Sequence, residues 1–169
     1  MIAFEAGAFI FQVRAAAVIE HEGGVLLHRA PHDDFWSCPG GRVEVGESAA
    51  ATVARELKEE LDAGATVGDL MFLVENFFDY EQRQYHEIGL YFTTRLESAA
   101  PILHATGEYY GREGDQDLIF RWFDRASLAQ ATVRPSFLPA ALADEQGARF
   151  RHVIHADGNA QRPEVKERA

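Results

Sequence analysis

GRVEVGESAAATVARELKEELDA, Gly41 to Ala63, is the stretch around which the rest of the chain takes shape. Ser48 is placed to cap a helix, and Ala50, Val53, Ala54, Leu57 and Leu61 follow at the 3.6-residue period of an apolar helix face. Glu56, Glu59 and Glu60 stand three and four positions apart, so their carboxylates project from one side of that helix. Like charges at that spacing cost an isolated helix about 0.2–0.5 kcal/mol per pair. A solvated surface tolerates the cost, but a cluster this tight is matched by a hard divalent cation, which oxygen ligands bind best. Asp62-Ala63-Gly64 ends the helix, with Gly64 able to supply a left-handed cap.

The composition narrows what such a cluster serves. Over 169 residues the chain carries 27 acids against 16 bases, a net charge of −11. This disfavours a nucleic-acid polymer or an anionic membrane, since both need a basic footprint. A small polyphosphate is still admitted, because a bound divalent ion inverts the local field. The single cysteine, Cys38, rules out an intrachain disulfide or a multi-cysteine zinc site. No apolar run approaches a membrane span, and the start, MIAFEAGAFIF, lacks the basic region of a signal peptide. A cytoplasmic protein is the expectation.

The order of elements points to a mixed sheet with helices packed on it. Ala8–Glu20 and Val25–Leu27 read as a hairpin about Gly23-Gly24, and residues 30–41, APHDDFWSCPGG, as a loop. Thr66–Asp79, Tyr85–Leu96 and Asp117–Asp124 are rich in strand formers. Residues 97–116 show no period and read as a long functional loop. Ser127–Gln130 and Pro135–Leu142 suggest short helices, Phe150–His155 a last strand, and 156–169 a polar, flexible tail behind a single domain over 1–155.

The central stretch resembles the Nudix box, Gly-x5-Glu-x7-Arg-Glu-U-x-Glu-Glu-x-Gly-U, where U is a bulky aliphatic. Gly41, Glu47, Arg55, Glu56, Leu57, Glu59 and Glu60 fall on its positions, and Trp36-Ser37-Cys38-Pro39-Gly40-Gly41 is similar to the family's Trp-x-x-Pro-Gly-Gly approach. Asp62 departs from the family's Gly, and Ala63 from its larger aliphatic. The resemblance implies an α+β fold, an αβα sandwich with a mixed β-sheet, holding Mg²⁺ or Mn²⁺. It carries metal binding onto Glu56, Glu59, Glu60 and the Gly40 carbonyl, and an ion pair onto Glu47 and Arg55 that keeps loop and helix in register. It also implies hydrolysis of a diphosphate linkage in a small nucleoside diphosphate derivative, with dimers common among relatives and Phe150–His155 placed to extend a partner's sheet.

The carboxylate that takes the attacking water's proton stays open among Glu56, Glu59 and the loop acids Glu108, Glu113, Asp115 and Asp117. Substrate identity stays open too: ADP-ribose, other nucleotide sugars, dinucleoside polyphosphates and modified nucleoside triphosphates all carry the linkage. A rival expectation is a catalytically silent module of the same fold that senses a nucleotide or binds a protein. Outside the box, Cys38 reads as a small buried hydrophobe and Trp36 as a residue that packs the loop. His86 reads as structural. Phe77, Phe78, Tyr80, Tyr109 and Tyr110 are candidates for stacking on a nucleobase, and Arg83 and Arg112 for meeting phosphates.

Overall fold

Strand β2 (Phe9–His21) is the spine of the molecule, because both of its edges are used along its length. The computed structural model describes residues 1–143 and 150–157; of the expected 156–169 tail, all but the first two residues lie outside the described ones. On one side β2 runs parallel to β6 (Arg83–Leu96) from Phe9 to Ile19. On the other it meets three short partners in turn: β1 (Ala3–Ala6), β4 (Gly40–Arg42) and β3 (Gly24–Arg29). The β2–β3 ladder covers only Glu20 and His21, so the sheet opens below it and admits the Gly40-Gly41 segment.

Strand β5 (Ala65–Tyr80) lies antiparallel to β6, and β9 (Arg151–Ala156) parallel to β5. Beyond β3 lie β8 (Gln116–Phe123) and β7 (Glu108–Glu113), giving, among the described residues, a mixed nine-stranded sheet in the order β7-β8-β3-β2-β6-β5-β9, with β1 and β4 beside β2. The strand expected over 150–155 thus spans Arg151–Ala156 and pairs within its own sheet.

Alternation along β2 divides the core in two. Ala15, Ala17 and Ile19 face helix α1 (Ala49–Leu61) and pack with Val53, Leu57 and Leu61. Ala16 and Val18 face the other layer, built from α2 (Arg125–Gln130) and α3 (Leu138–Ala143) through Leu128, Leu138 and Leu142. Each fully buried aliphatic contributes roughly 1.5–3 kcal/mol, so Val53 and Leu57 fix the height of α1 above the sheet.

The structure corrects several expectations. Residues 97–116 are not one long loop: Pro101–His104 forms a 3-10 turn, and Glu108–Glu113 pairs with β8. Three glycines and clustered charges hid a ladder that rests on backbone pairing. The left-handed cap of α1 is Asp62 (φ 51°), not Gly64. Asp tolerates that region better than most residues, and here Lys58 also pairs with its carboxylate. Strand β1, short and mostly exposed, had no pattern to announce it. The helix expected over 135–142 begins at Leu138, with Pro139 in its first turn, where its missing N–H costs nothing. The hairpin turns on Glu22 and Gly23, both at positive φ.

Candidate active site

Two glycines let the loop and the helix approach. A Cβ on Gly40 (φ 140°) would overlap the Ala15 carbonyl, and one on Gly41 would overlap the Glu56 carboxylate. Ser48 then starts α1, its Oγ accepting from the Ala51 N–H at 3.2 Å.

Arg55 is the hub of this corner. Its Nε and Nη2 donate to the two Glu47 oxygens at 3.1 and 3.2 Å, the forked geometry that suits guanidinium and carboxylate. Its Nη1 donates to Glu56 at 2.8 Å and to Glu59 at 3.0 Å. Thr52 Oγ1 adds a bond to Glu47 at 2.7 Å. The Arg55 bonds, helped by Thr52, hold the Glu47 carboxyl down to about 2. The ion pair that the resemblance implied between Glu47 and Arg55 is therefore present, and it reaches from the 41–48 loop to the middle of the helix.

The three glutamates do not share one environment. Glu59 is 57% exposed, whereas Glu56 and Glu60 join Thr52 in a buried polar row beside the apolar one. The offset of four that lines up Val53, Leu57 and Leu61 also lines up Thr52, Glu56 and Glu60, so both rows face inward. Burial pushes the Glu56 carboxyl up, against the pull of Arg55. It pushes Glu60 much further up, Arg14 opposing and Glu56, Glu113 and Glu59 adding to the rise. His28 Nδ1 lies 3.6 Å from Glu60, yet burial and Arg14 lower that imidazole to about 3. The contact is thus between a neutral ring and a carboxyl that resists ionising, not an ion pair. Among the described residues, neither Glu60 oxygen has a hydrogen-bond partner.

These observations bear on a cation. Among the described residues no group of three or more His, Cys, Asp or Glu side chains is gathered closely enough to hold a metal ion. Arg55 draws Glu56 and Glu59 to itself, while Glu60 lies a turn deeper on the helix. The donor set nonetheless fits a hard divalent ion: all its side chains are oxygen donors, and one buried carboxylate has both oxygens unpartnered.

A cavity of about 540 Å³ opens beside this corner, within the range of small-molecule sites. Gly40, Gly41, Arg55, Glu56 and Glu59 line one end. Of the loop acids, Glu113 reaches the cavity; Asp117 pairs with Arg112 at 3.0 Å and Glu108 with Arg29 at 4.0 Å. Of the candidate aromatics, Phe78 and Tyr80 line the cavity. Phe77 is buried against His86 (ring centroids 4.5 Å apart), Tyr109 packs toward α1, and Tyr110 is exposed. Arg83 pairs with Glu5, so neither it nor Arg112 lies in the cavity wall. Trp36 packs edge-on to Phe123 at 5.0 Å, and the buried Cys38 thiol is pushed up to about 12 by burial.

The sequence reading missed Gln12, Arg14, Asn76 and Glu87, which line the cavity from the sheet. Their signal is a polar residue set into an otherwise apolar strand, and it gains meaning only when register places the strands side by side.

Comparison with known proteins places this geometry. The NUDIX domain model matches residues 10–141. The CTP pyrophosphohydrolase of Escherichia coli is 43% identical over 58 residues, 32% of this chain and 43% of that protein, so the chain matches less than half of that relative's length. The crystal structure of a UDP-X diphosphatase superposes with a TM-score of 0.60 at 21% identity, over 84% of this chain and 66% of that one. A MutT NUDIX hydrolase from Burkholderia pseudomallei does so with a TM-score of 0.59 at 23% identity, over 79% and 98%. At such identities the two structures speak to the fold. The family model covers most of the chain, and the chain belongs to the NUDIX domain family.

Proposed function

We propose that the chain is a divalent-metal-dependent pyrophosphohydrolase that cleaves a diphosphate linkage in a small nucleoside diphosphate derivative. The observation that carries this reading is the buried Glu60 carboxyl, without a hydrogen-bond partner among the described residues, one helical turn beyond Glu56, which with Glu59 lines the end of a cavity of ligand size. The Gly40 carbonyl, Glu56, Glu59 and Glu60 are the groups that would hold Mg²⁺ or Mn²⁺. When bound, such an ion neutralises phosphoryl charge and makes a water acidic enough to attack at neutral pH.

The chain's own groups do the rest. Glu47 and Arg55 are positioning residues: by tying the 41–48 loop to α1 they hold Glu56 and Glu59 at the cavity wall. Arg14 and Arg42, opposite one another in the β2–β4 ladder, line the same cavity and offer positive charge to phosphoryl oxygens. Glu113 adds negative charge near Glu56 and Glu60, which strengthens the case for a cation there.

The test is hydrolysis of a panel of nucleotide sugars, dinucleoside polyphosphates and nucleoside triphosphates with Mg²⁺, each product identified. Release of a nucleoside monophosphate, abolished by EDTA, is expected. Tight nucleotide binding with no product from any member would favour the silent module.

A further inference from the structure

We propose that the sheet end of the cavity reads the nucleobase, and that it selects bases bearing an exocyclic amino group over uracil and thymine. The proposal rests on the pyrophosphohydrolase reading for the polyphosphate end, and adds what the other end recognises.

Register builds this end. Glu87 of β6 stands opposite Gln12 of β2 on one side and opposite Asn76 of β5 on the other. The three side chains therefore form one row across adjacent strands, on the sheet face that looks toward α2 and α3. One residue pair along, Arg14 faces Gly89, where a Cβ would press on the Tyr91 ring. One pair the other way, Tyr85 faces Phe78, their rings stacked at 4.9 Å and 4°. Gln12, Asn76 and Glu87 are 6%, 4% and 4% exposed, and all three line the cavity.

The hydrogen bonds fix which way the amides point. Gln12 Nε2 donates to Glu87 Oε2 at 2.5 Å, and Arg42 Nε donates to Gln12 Oε1 at 2.9 Å. Asn76 Nδ2 points at Glu87 Oε1 at 3.5 Å. Turning either amide over would set its oxygen against a carboxylate oxygen, and for Gln12 would also set its NH₂ against the Arg42 N–H. The amide donors are thus drawn to the carboxylate. What the row has left to offer is acceptors: the remaining lone pairs of Glu87 and the Asn76 Oδ1, which is buried without a partner among the described residues.

A buried acceptor left unfilled is costly, and a ligand that fills it gains by the difference. Cytosine, adenine and guanine each carry an amino group with two N–H donors. Uracil and thymine present a carbonyl where cytosine has its amino group, which would meet Asn76 Oδ1 and Glu87 oxygen to oxygen, and their ring N3–H leaves them one donor against the two of an amino group. A site built to hydrogen-bond a substrate N–H rejects an analogue that lacks it far more strongly than an apolar pocket rejects a shape. Phe35, Phe78 and Tyr80 line the same cavity and supply aromatic faces for the ring.

The test is equilibrium binding of CMP, AMP, GMP and UMP to the full chain, since monophosphates have no diphosphate linkage to cleave. At least one amino-bearing nucleotide should bind about tenfold or more tighter than UMP. Asn76→Ala should bring that ratio to within about threefold while UMP binding stays nearly constant, and Glu87→Gln should shrink it too. If Asn76→Ala does not fold, Asn76→Ser serves. A merely structural role for Asn76 predicts equal weakening of all four, which would overturn the proposal. So would UMP binding as tightly as the best of the others, or no binding of any of them at millimolar concentration. Failure of turnover with Mg²⁺ leaves these ratios untouched, so the two claims fail separately.

Discussion

The two ends of the cavity are made in opposite ways. The carboxylate end comes from one run of chain, Gly40 to Glu60, where helix spacing sets Glu56 and Glu59 beside Arg55 and Glu60 a turn deeper. The sheet end comes from Gln12, Asn76 and Glu87, which are distant in sequence and meet only because three strands pair in one register. Local periodicity is legible without a fold, whereas register is not. A helix repeat therefore declares chemistry early, and a row across a sheet declares it only when the sheet is built.

Changes at the carboxylate end should act on chemistry first. Glu59→Gln and Glu60→Gln should each lower kcat/KM on the order of 10²-fold or more, read in the hydrolysis assay. Since neither Glu60 oxygen is bonded among the described residues, Glu60→Gln should melt no lower than the parent in EDTA, yet lose the rise in Tm that Mg²⁺ gives the parent.

The two glycines separate fold from site. Gly40→Ala drives a Cβ into the Ala15 backbone at a φ that L-residues avoid, so a loss of roughly 3 kcal/mol in denaturant melts is expected. Gly41→Ala instead drives a Cβ into the Glu56 carboxylate, a side-chain end that can shift where backbone cannot. Its effect should fall on activity, with stability nearly kept.

Arg55 tests the link between loop and helix. The Glu47 carboxyl is lowered in the folded protein, so its contribution to stability is present above the ordinary carboxylate value near 4.5 and is lost as pH falls toward about 2. Arg55→Ala should remove that contribution, and metal-free melts should show less loss of stability between those two pH values than the parent. The smallest effect concerns Cys38. With its thiol buried and raised to about 12, alkylation at pH 8 should be slow in the native state and fast in urea.

Much of the molecule was legible in advance, for physical reasons that differ by element. The β2, β5, β6 and β8 strands announce themselves by dense β-formers, and α1 by its cap and apolar stripe. The environments of the glutamates were not legible. Sequence spacing grouped Glu56, Glu59 and Glu60, but burial divides them, because Glu56 and Glu60 lie in the row that turns inward with Thr52. Strand β7 was missed because Gly111 sits where the α1 backbone passes close, a reason visible only in three dimensions: a Cβ there would overlap the Glu60 carbonyl. Arg14 was missed since nothing in a strand segment says that Glu60 and Glu87 flank it.

The central claim is that the Glu56–Glu59–Glu60 side of α1 holds a divalent ion against the cavity. Mn²⁺ titration followed by electron paramagnetic resonance, on the parent and on Glu60→Gln, tests it most directly. The predicted result is loss of the free-ion signal in proportion to parent protein, and binding at least about tenfold weaker in the variant. Equal Mn²⁺ binding by both proteins, or none by the parent, would contradict it.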